Sequence, residues 1–278
     1  EHLLEIVQSN ISKGNVEYAM SVYPTAFGMQ KEHALMILKN QAVVVTDEDG
    51  SHKGDITCGL PHGKRICFET YREFVFANTS LWNRIFRADI IKDKKTAAIA
   101  VVDPACDSEV LVDEINKTGG KLEYILLTHG HFDHIGGVSY LLENFSPQIL
   151  VSKNEAELIN TPELNGSAWH NLHIDEIDVD RLLSDNEEFS LGDTTIRFIE
   201  TPGHTAGSGC YIVEDCIFSG DTLFCQSIGR TDFPTSSMQD MRKSLSKLAA
   251  IDGEYVVFPG HDISTTLSAE KKYNPYMR

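Results

Sequence analysis

The stretch Thr128-His129-Gly130-His131-Phe132-Asp133-His134 constrains this chain more than any other part of it. Three imidazoles and a carboxylate fall within six positions. Burying such a group without ions or polar partners is costly. In an extended segment, residues two apart point the same way, so His129 and His131 are able to grip one metal ion from one side. After the turn, Asp133 and His134 face a second ion. A lone histidine is usually a satisfied core or surface side chain, but four ligand-type residues this crowded read as a metal site.

Two more histidines and one carboxylate stand in similar settings: His204 in Thr201-Pro202-Gly203-His204, Asp221 in Ser219-Gly220-Asp221-Thr222, and His261 in Pro259-Gly260-His261. Each is weak evidence alone. Their order and context make them strong together, because each follows an apolar strand pattern. Leu122 to Leu127 precedes the first motif, and Thr194 to Ile199 precedes His204. The hairpin Tyr211 to Val213 and Cys216 to Phe218 precedes Asp221, and Tyr255 to Phe258 precedes His261. Strand ends at one sheet edge converge in space while loops supply the ligands.

Further strands are expected at Phe68 to Phe76, Ile85 to Ile91, Ala97 to Val102 (ended by Asp103-Pro104) and Gln148 to Val151. Helices are expected at Ser108 to Lys117, Gly136 to Glu143, Asn154 to Ile159 and Met238 to Ala250. The pattern divides near residue 65. Residues 1–65 form an extension that reads as mostly helical from 1 to about 40, with a short hairpin around Ala42 to Val45. Residues 66–278 hold every candidate ligand.

Charge and composition narrow the partners. The formal net charge is −17, and no basic stripe is present to neutralise phosphates, which argues against nucleic acid. No apolar run approaches the ~20 residues a membrane-spanning helix needs. Leu3 to Ile11 is broken by Glu5, Gln8 and Asn10, unlike a signal peptide. The six cysteines form no C-x-x-C pair and are expected as reduced, mostly buried thiols, with the cytoplasm as the default compartment. Cys225 is read as structural, and His170 and His173 as surface residues or supports of the site.

These residues resemble the metallo-β-lactamase superfamily, close to its glyoxalase II-like branch. The H-x-H-x-D-H pattern is matched residue for residue, as are His204, Asp221 and His261. The likeness covers about residues 66 to 278 and includes Gly229-Arg230-Thr231-Asp232-Phe233-Pro234 and the tail Lys271 to Tyr276. It implies an α+β fold, a four-layer αββα sandwich with metals at one edge of the sheets. It also implies two divalent ions: His129, His131 and His204 hold the first, Asp133, His134 and His261 the second, and Asp221 bridges them. Imidazole and carboxylate donors suit zinc, and equally iron or manganese. Bound water then loses its proton near neutrality, from about 15.7 in bulk to about 7, and the resulting hydroxide attacks a carbonyl. Asp133 and Asp221 are the catalytic carboxylates of this scheme, with Asp133 orienting the nucleophile. Arg230 resembles a basic residue that holds the carboxylate of a thiol conjugate; a salt bridge to Asp232 is the competing reading.

The expected activity is hydrolysis of a thioester or related acyl substrate, such as a glutathione or other thiol conjugate. Only Asp262 to Arg278 follow His261, so the chain resembles the shorter hydroxyacylglutathione hydrolase-like enzymes. The first alternative is a persulfide dioxygenase with one iron on His129, His204 and Asp221. Lactonase, β-lactamase and phosphodiesterase activities also occur on this fold, and fold alone does not choose among them. A non-enzymatic scaffold is the third class. The extension is read as a lid, a homo-oligomer element or a cover for a sheet edge.

Overall fold

Side-chain alternation along the strands sorts the apolar residues into three cores, and those cores define the layers. The computed structural model describes residues 16–22, 87–105 and 109–278. One six-stranded sheet contains β1 (Val16–Val22), β2 (Ala88–Asp93), β3 (Ala98–Val102), β4 (Lys121–Leu126), β5 (Gln148–Ser152) and β6 (Arg181–Leu183), in that spatial order. The other contains β7 (Glu188–Leu191), β8 (Thr194–Glu200), β9 (Gly209–Val213), β10 (Cys216–Gly220), β11 (Val256–Pro259) and β12 (Thr265–Thr266), again as sequential neighbours.

The helices follow from the connections. Parallel neighbours need a crossover, and β3, β4, β5 and β6 pair in parallel. Their crossovers carry α1 (Glu109–Lys117), then α2 (Phe132–Ile135) and α3 (Val138–Asn144), then α4 (Ala156–Ile159) and α5 (Pro162–Asn165). In the second sheet, α6 (Met238–Ala249) joins the parallel pair β10 and β11, and α7 (Leu267–Tyr273) follows β12.

On β3, Ala98, Ala100 and Val102 face the second sheet, where they meet Phe189, Phe198, Tyr211 and Phe218. Ile99 and Val101 face outward against Leu111 and Ile115 of α1. The second sheet mirrors this. Tyr211 and Val213 point inward, while Cys210 and Ile212 pack toward Met241, Leu245 and Leu248 of α6. The result is the expected αββα sandwich.

Three sequence expectations change. Val16–Val22 lies within the stretch read as helix, yet it is a strand paired antiparallel to β2. Its two valines and tyrosine favour the extended state, and an available sheet edge settles the conformation. Part of the N-terminal extension is therefore an edge strand of the first sheet. The helix expected from Gly136 to Glu143 is present as α3, but a separate turn, α2, precedes it from Phe132 inside the histidine motif. The short strands β6 and β7 were not foreseen. The strands expected at 42–45 and 68–76, and the division near residue 65, lie outside the described residues.

Cys210 and Cys216 are buried free thiols and Cys225 a half-buried one, as the sequence indicated. Burial pushes the Cys210 thiol up to about 11 and the Cys216 thiol up to about 12. Among the described residues, no helix is long and apolar enough to cross a membrane.

Tyr211 stitches the sandwich together. Its buried hydroxyl reaches across the interior and bonds the carbonyls of Leu127, 3.0 Å away at the entry to the histidine motif, and Leu150 of β5, 3.2 Å away. Tyr211→Phe is expected to cost about 1–3 kcal/mol by leaving buried carbonyl capacity unmet. A lowered denaturation midpoint with unchanged far-ultraviolet circular dichroism is the expected readout.

Candidate metal centre

Four strands end at the same edge, and each carries part of the site. Chain leaving β4 carries His129 and His131, and the first turn of α2 adds Asp133 and His134. His204 follows β8, Asp221 follows β10 and His261 follows β11. The site therefore straddles both sheets. All seven residues singled out in the sequence meet here, and His129, His131, His134, His204 and Asp221 are buried.

The donor atoms form two groups. Ligand atoms of His129, His131 and His204 lie within 4.8 Å of one another, as do those of Asp133, His134 and His261. His131 Nδ1 stands 2.9 Å from His204 Nε2. His134 Nε2 and His261 Nε2 are 3.3 Å apart. Asp221 touches both groups: its Oδ2 is 3.3 Å from His204 Nε2 and 3.5 Å from His261 Nε2, and its Oδ1 is 3.4 Å from His134 Nε2.

Supporting bonds set which ring nitrogens stay bare. The Thr128 hydroxyl donates to Asp103 Oδ2 at 2.6 Å, so its oxygen accepts from His129 Nδ1 at 3.1 Å. His129 Nε2 is left buried with no hydrogen-bond partner. His204 Nδ1 donates to the Arg230 carbonyl at 2.8 Å, leaving Nε2 to face the site. His134 Nδ1 donates to Asp103 Oδ2 at 2.9 Å, with the same result. Such outer bonds orient ligating imidazoles and raise their basicity. Asp103, His129 and His134 also lie within ligand distance of one another. However, Asp103 already accepts from the Thr128 amide, the Thr128 hydroxyl and His134, so it is an anchor rather than a donor to an ion.

Charge divides the two groups. Burial, reinforced by neighbouring imidazoles, pushes His129 down and His131 down to about 3; burial also lowers His204. These rings are neutral and keep their lone pairs. Burial works against the Asp221 charge, but His261, His134 and His204 hold its carboxyl well below the usual carboxylate range. Burial also opposes charge on His261, yet Asp221 and Asp133 push it up to about 10; Asp221 and Asp103 likewise raise His134. Protons here balance buried carboxylates, a place that a cation would take in their stead.

Close approach explains one glycine. A Cβ at Gly260 would stand 2.4 Å from Asp221 Oδ1 and 2.6 Å from His134 Cε1. The residue before His261 must therefore lack a side chain.

The groups open onto a cavity of about 640 Å³ whose lining includes His131, Asp133, His204, Asp221 and His261. Arg230 lines it too, and both competing expectations for this residue meet a finding. Its guanidinium bonds both Asp232 carboxylate oxygens, at 2.9 and 2.8 Å, and lies 4.4 Å over the Phe233 ring. Its backbone carbonyl is what orients His204. His170 packs on Phe132 at the cavity wall, whereas His173 is exposed beside Asp175. Thr205 and Ser208 bond each other, and Thr222 bonds Thr201, so these hydroxyls brace the loops and not the rings.

A model of the metallo-beta-lactamase superfamily matches residues 90–261. The chain belongs to that superfamily. A probable metallo-hydrolase of Streptococcus pyogenes is 32% identical over 188 residues, covering 64% of this chain and 81% of its relative. The hydroxyacylglutathione hydrolase GloC of Haemophilus influenzae is 32% identical over 191 residues, covering 66% and 89%. Among solved structures, the B3 metallo-beta-lactamase BLEG-1 superposes with a TM-score of 0.65 at 32% identity, covering 69% of this chain and 93% of that one. Its family and its histidine and aspartate clusters make this a metal-dependent protein of the hydrolase kind.

Sequence reasoning missed two residues of the site. Asp103 carried a usable signal, since it ends an apolar strand pattern just as the ligand segments do. Glu155 carried none. Its buried carboxylate takes the Gly130 amide on one oxygen at 3.2 Å and the Gly207 amide on the other at 3.1 Å, with a further bond from Thr205. It thereby ties the loop of His129 and His131 to the loop of His204. Burial pushes it up to about 7, against those hydrogen bonds. Glu155→Gln puts an amide donor where an acceptor is required. Competition with a chelator is expected to show roughly 10–100-fold weaker ion binding, and unchanged affinity would rule out this bracing role.

Proposed function

We propose that this protein is a two-metal acyl hydrolase that cleaves thioesters of a small thiol. The observation that carries the reading is Asp221, whose carboxylate stands 3.3 to 3.5 Å from histidines of both donor groups. That placement suits a bridge. In this reading His129, His131 and His204 hold one ion, and Asp133, His134 and His261 hold the other.

The donor set fits divalent ions. His129 Nε2 is buried without a partner, and Asp221 Oδ1 is buried without a hydrogen bond. Nitrogen and carboxylate donors without thiolate suit zinc, the proposed occupant, and also iron or manganese. Such ions, when bound, polarise a carbonyl oxygen and lower the proton affinity of water.

The chain's own residues do the rest. Asp133 lines the cavity with Oδ2 3.4 Å from His261 Nε2, and it is held ionised by His261 and His134 against the effect of burial. It therefore offers an acceptor that orients an attacking water toward the substrate carbonyl. His129, His131 and His204 stay neutral, so no proton competes with an ion for their lone pairs. A thiol leaving group has a pKa near about 8.5 and departs without a dedicated acid. This matches a cavity in which Asp133 and Asp221 are already bound to histidines and Asp232 to Arg230. The hydroxyacylglutathione hydrolase relative supports the thioester class.

Metal analysis of protein purified without chelator is expected to find about two ions per chain. Asp221→Ala is expected to lose both or nearly so, since it removes the shared carboxylate. Thiol release from S-lactoylglutathione or a simpler thioester, with no oxygen uptake, is the expected activity. One iron per chain together with oxygen consumption on glutathione persulfide would replace this reading with a dioxygenase.

A further inference from the structure

The reacting centre is polar, but the wall beside it is not. Phe132, Trp169, Phe224, Ile228, Phe233 and Pro234 line the same cavity as the metal ligands. Phe233 packs edge-on against His131, with centroids 5.0 Å apart, and His204, 5.5 Å apart. Trp169 stacks on Phe233 at 5.7 Å with the rings only 22° from parallel. The tryptophan thus stands one ring beyond the ligands, with half its surface (50%) open. The loop that presents it is fixed by Gly166, whose left-handed φ of 82° leaves a Cβ position 3.3 Å from the Phe132 ring and 3.6 Å from the Trp169 ring.

The charge of the wall is equally specific. Arg230 is the only lysine or arginine among the described residues lining the cavity. Both Asp232 oxygens occupy its fork, and the guanidinium lies on Phe233. The pair is electrically neutral: Asp232 takes the Nε–Nη2 edge, so a substrate carboxylate is left the Nη1 edge and meets the Asp232 charge beside it. A planar apolar group meets no such competitor and covers exposed aromatic surface, which is favourable.

We infer that the preferred substrates carry an uncharged, planar apolar acyl group that lies on the Trp169–Phe233 wall, and that Asp232 disfavours acyl groups ending in a carboxylate. The inference rests on the acyl-hydrolase reading above. A glutathione-type thiol, the class considered above, is polar, so the apolar contact falls to the acyl side of the carbonyl. Trp169 is then a specificity determinant through contact, and Asp232 one through its hold on Arg230.

The test uses the metal-loaded protein and thioesters of one thiol, N-acetylcysteamine, bearing acetyl, phenylacetyl or succinyl groups. The leaving group is constant, so differences report the acyl pocket. Phenylacetyl is expected to exceed succinyl by about tenfold or more in kcat/KM, the equivalent of one good aromatic contact. Trp169→Ala is expected to lower the phenylacetyl-to-acetyl ratio about tenfold, chiefly through KM, and Asp232→Asn to raise the succinyl-to-phenylacetyl ratio. Succinyl preferred by the unaltered protein, or ratios that neither substitution moves, would overturn the inference. If no thioester is cleaved, the hydrolase reading fails separately. Binding of phenylacetate against succinate, followed by calorimetry, then decides the pocket: tighter phenylacetate binding that Trp169→Ala weakens supports it, and equal or reversed affinities refute it.

Discussion

The buried carboxylate of Asp103 holds the geometry on which the rest of the site depends. It stands just past β3, takes the amide and hydroxyl of Thr128 just past β4, and accepts from His134 on α2. One side chain thus joins two strand ends and a helix. Because the Thr128 proton is committed to Asp103, the Thr128 oxygen is free to accept from His129 Nδ1. The same carboxylate therefore sets which nitrogen of both His129 and His134 faces the site. In a low-dielectric interior these bonds are strong, and a missing partner is costly.

The sandwich brings the remaining donors to Asp103. β4 belongs to one sheet, while β8, β10 and β11 belong to the other. Only tight packing between the sheets aligns their ends. The interior supplies this through Phe198, Tyr211 and Phe218 against the small residues Ala98 and Ala100. Tyr211 adds bonds from one sheet to carbonyls of the other, at Leu127 immediately before the histidine motif and at Leu150 on the neighbouring strand. Glu155 repeats the device on the opposite side by bonding backbone amides in two ligand loops. The binding centre is thus held by groups that would never touch an ion or a substrate.

Much of this was legible in the sequence. The strands leading to His129, His204, Asp221 and His261 were marked by apolar runs that end in ligand residues, and periodicity is a local property. The start of α2 inside the motif was not legible, because a four-residue helix gives too short a pattern and is stabilised by its tertiary setting. β6 and β7 escaped for the same reason: Arg181–Leu183 and Glu188–Leu191 are short and half polar, and sheet pairing makes them strands. Val16–Val22 reads as part of a helical stretch and becomes a strand through pairing with β2.

The amino-acid order alone carries the chemistry on offer: seven imidazole and carboxylate groups in a fixed order, in segments that each follow a strand, and a family membership that follows from that order. Tertiary structure decided how those groups are used. It separated them into two clusters, placed Asp221 between them, and recruited Asp103 and Glu155 from distant positions. It also turned Arg230 onto Asp232 and Phe233, and stood Trp169 beside the ligands. Ligand identity is written in single residues, so a sequence displays it. The direction a ring nitrogen faces, and whether a guanidinium is already taken, depend on contacts between residues far apart along the chain, and only the folded molecule contains those.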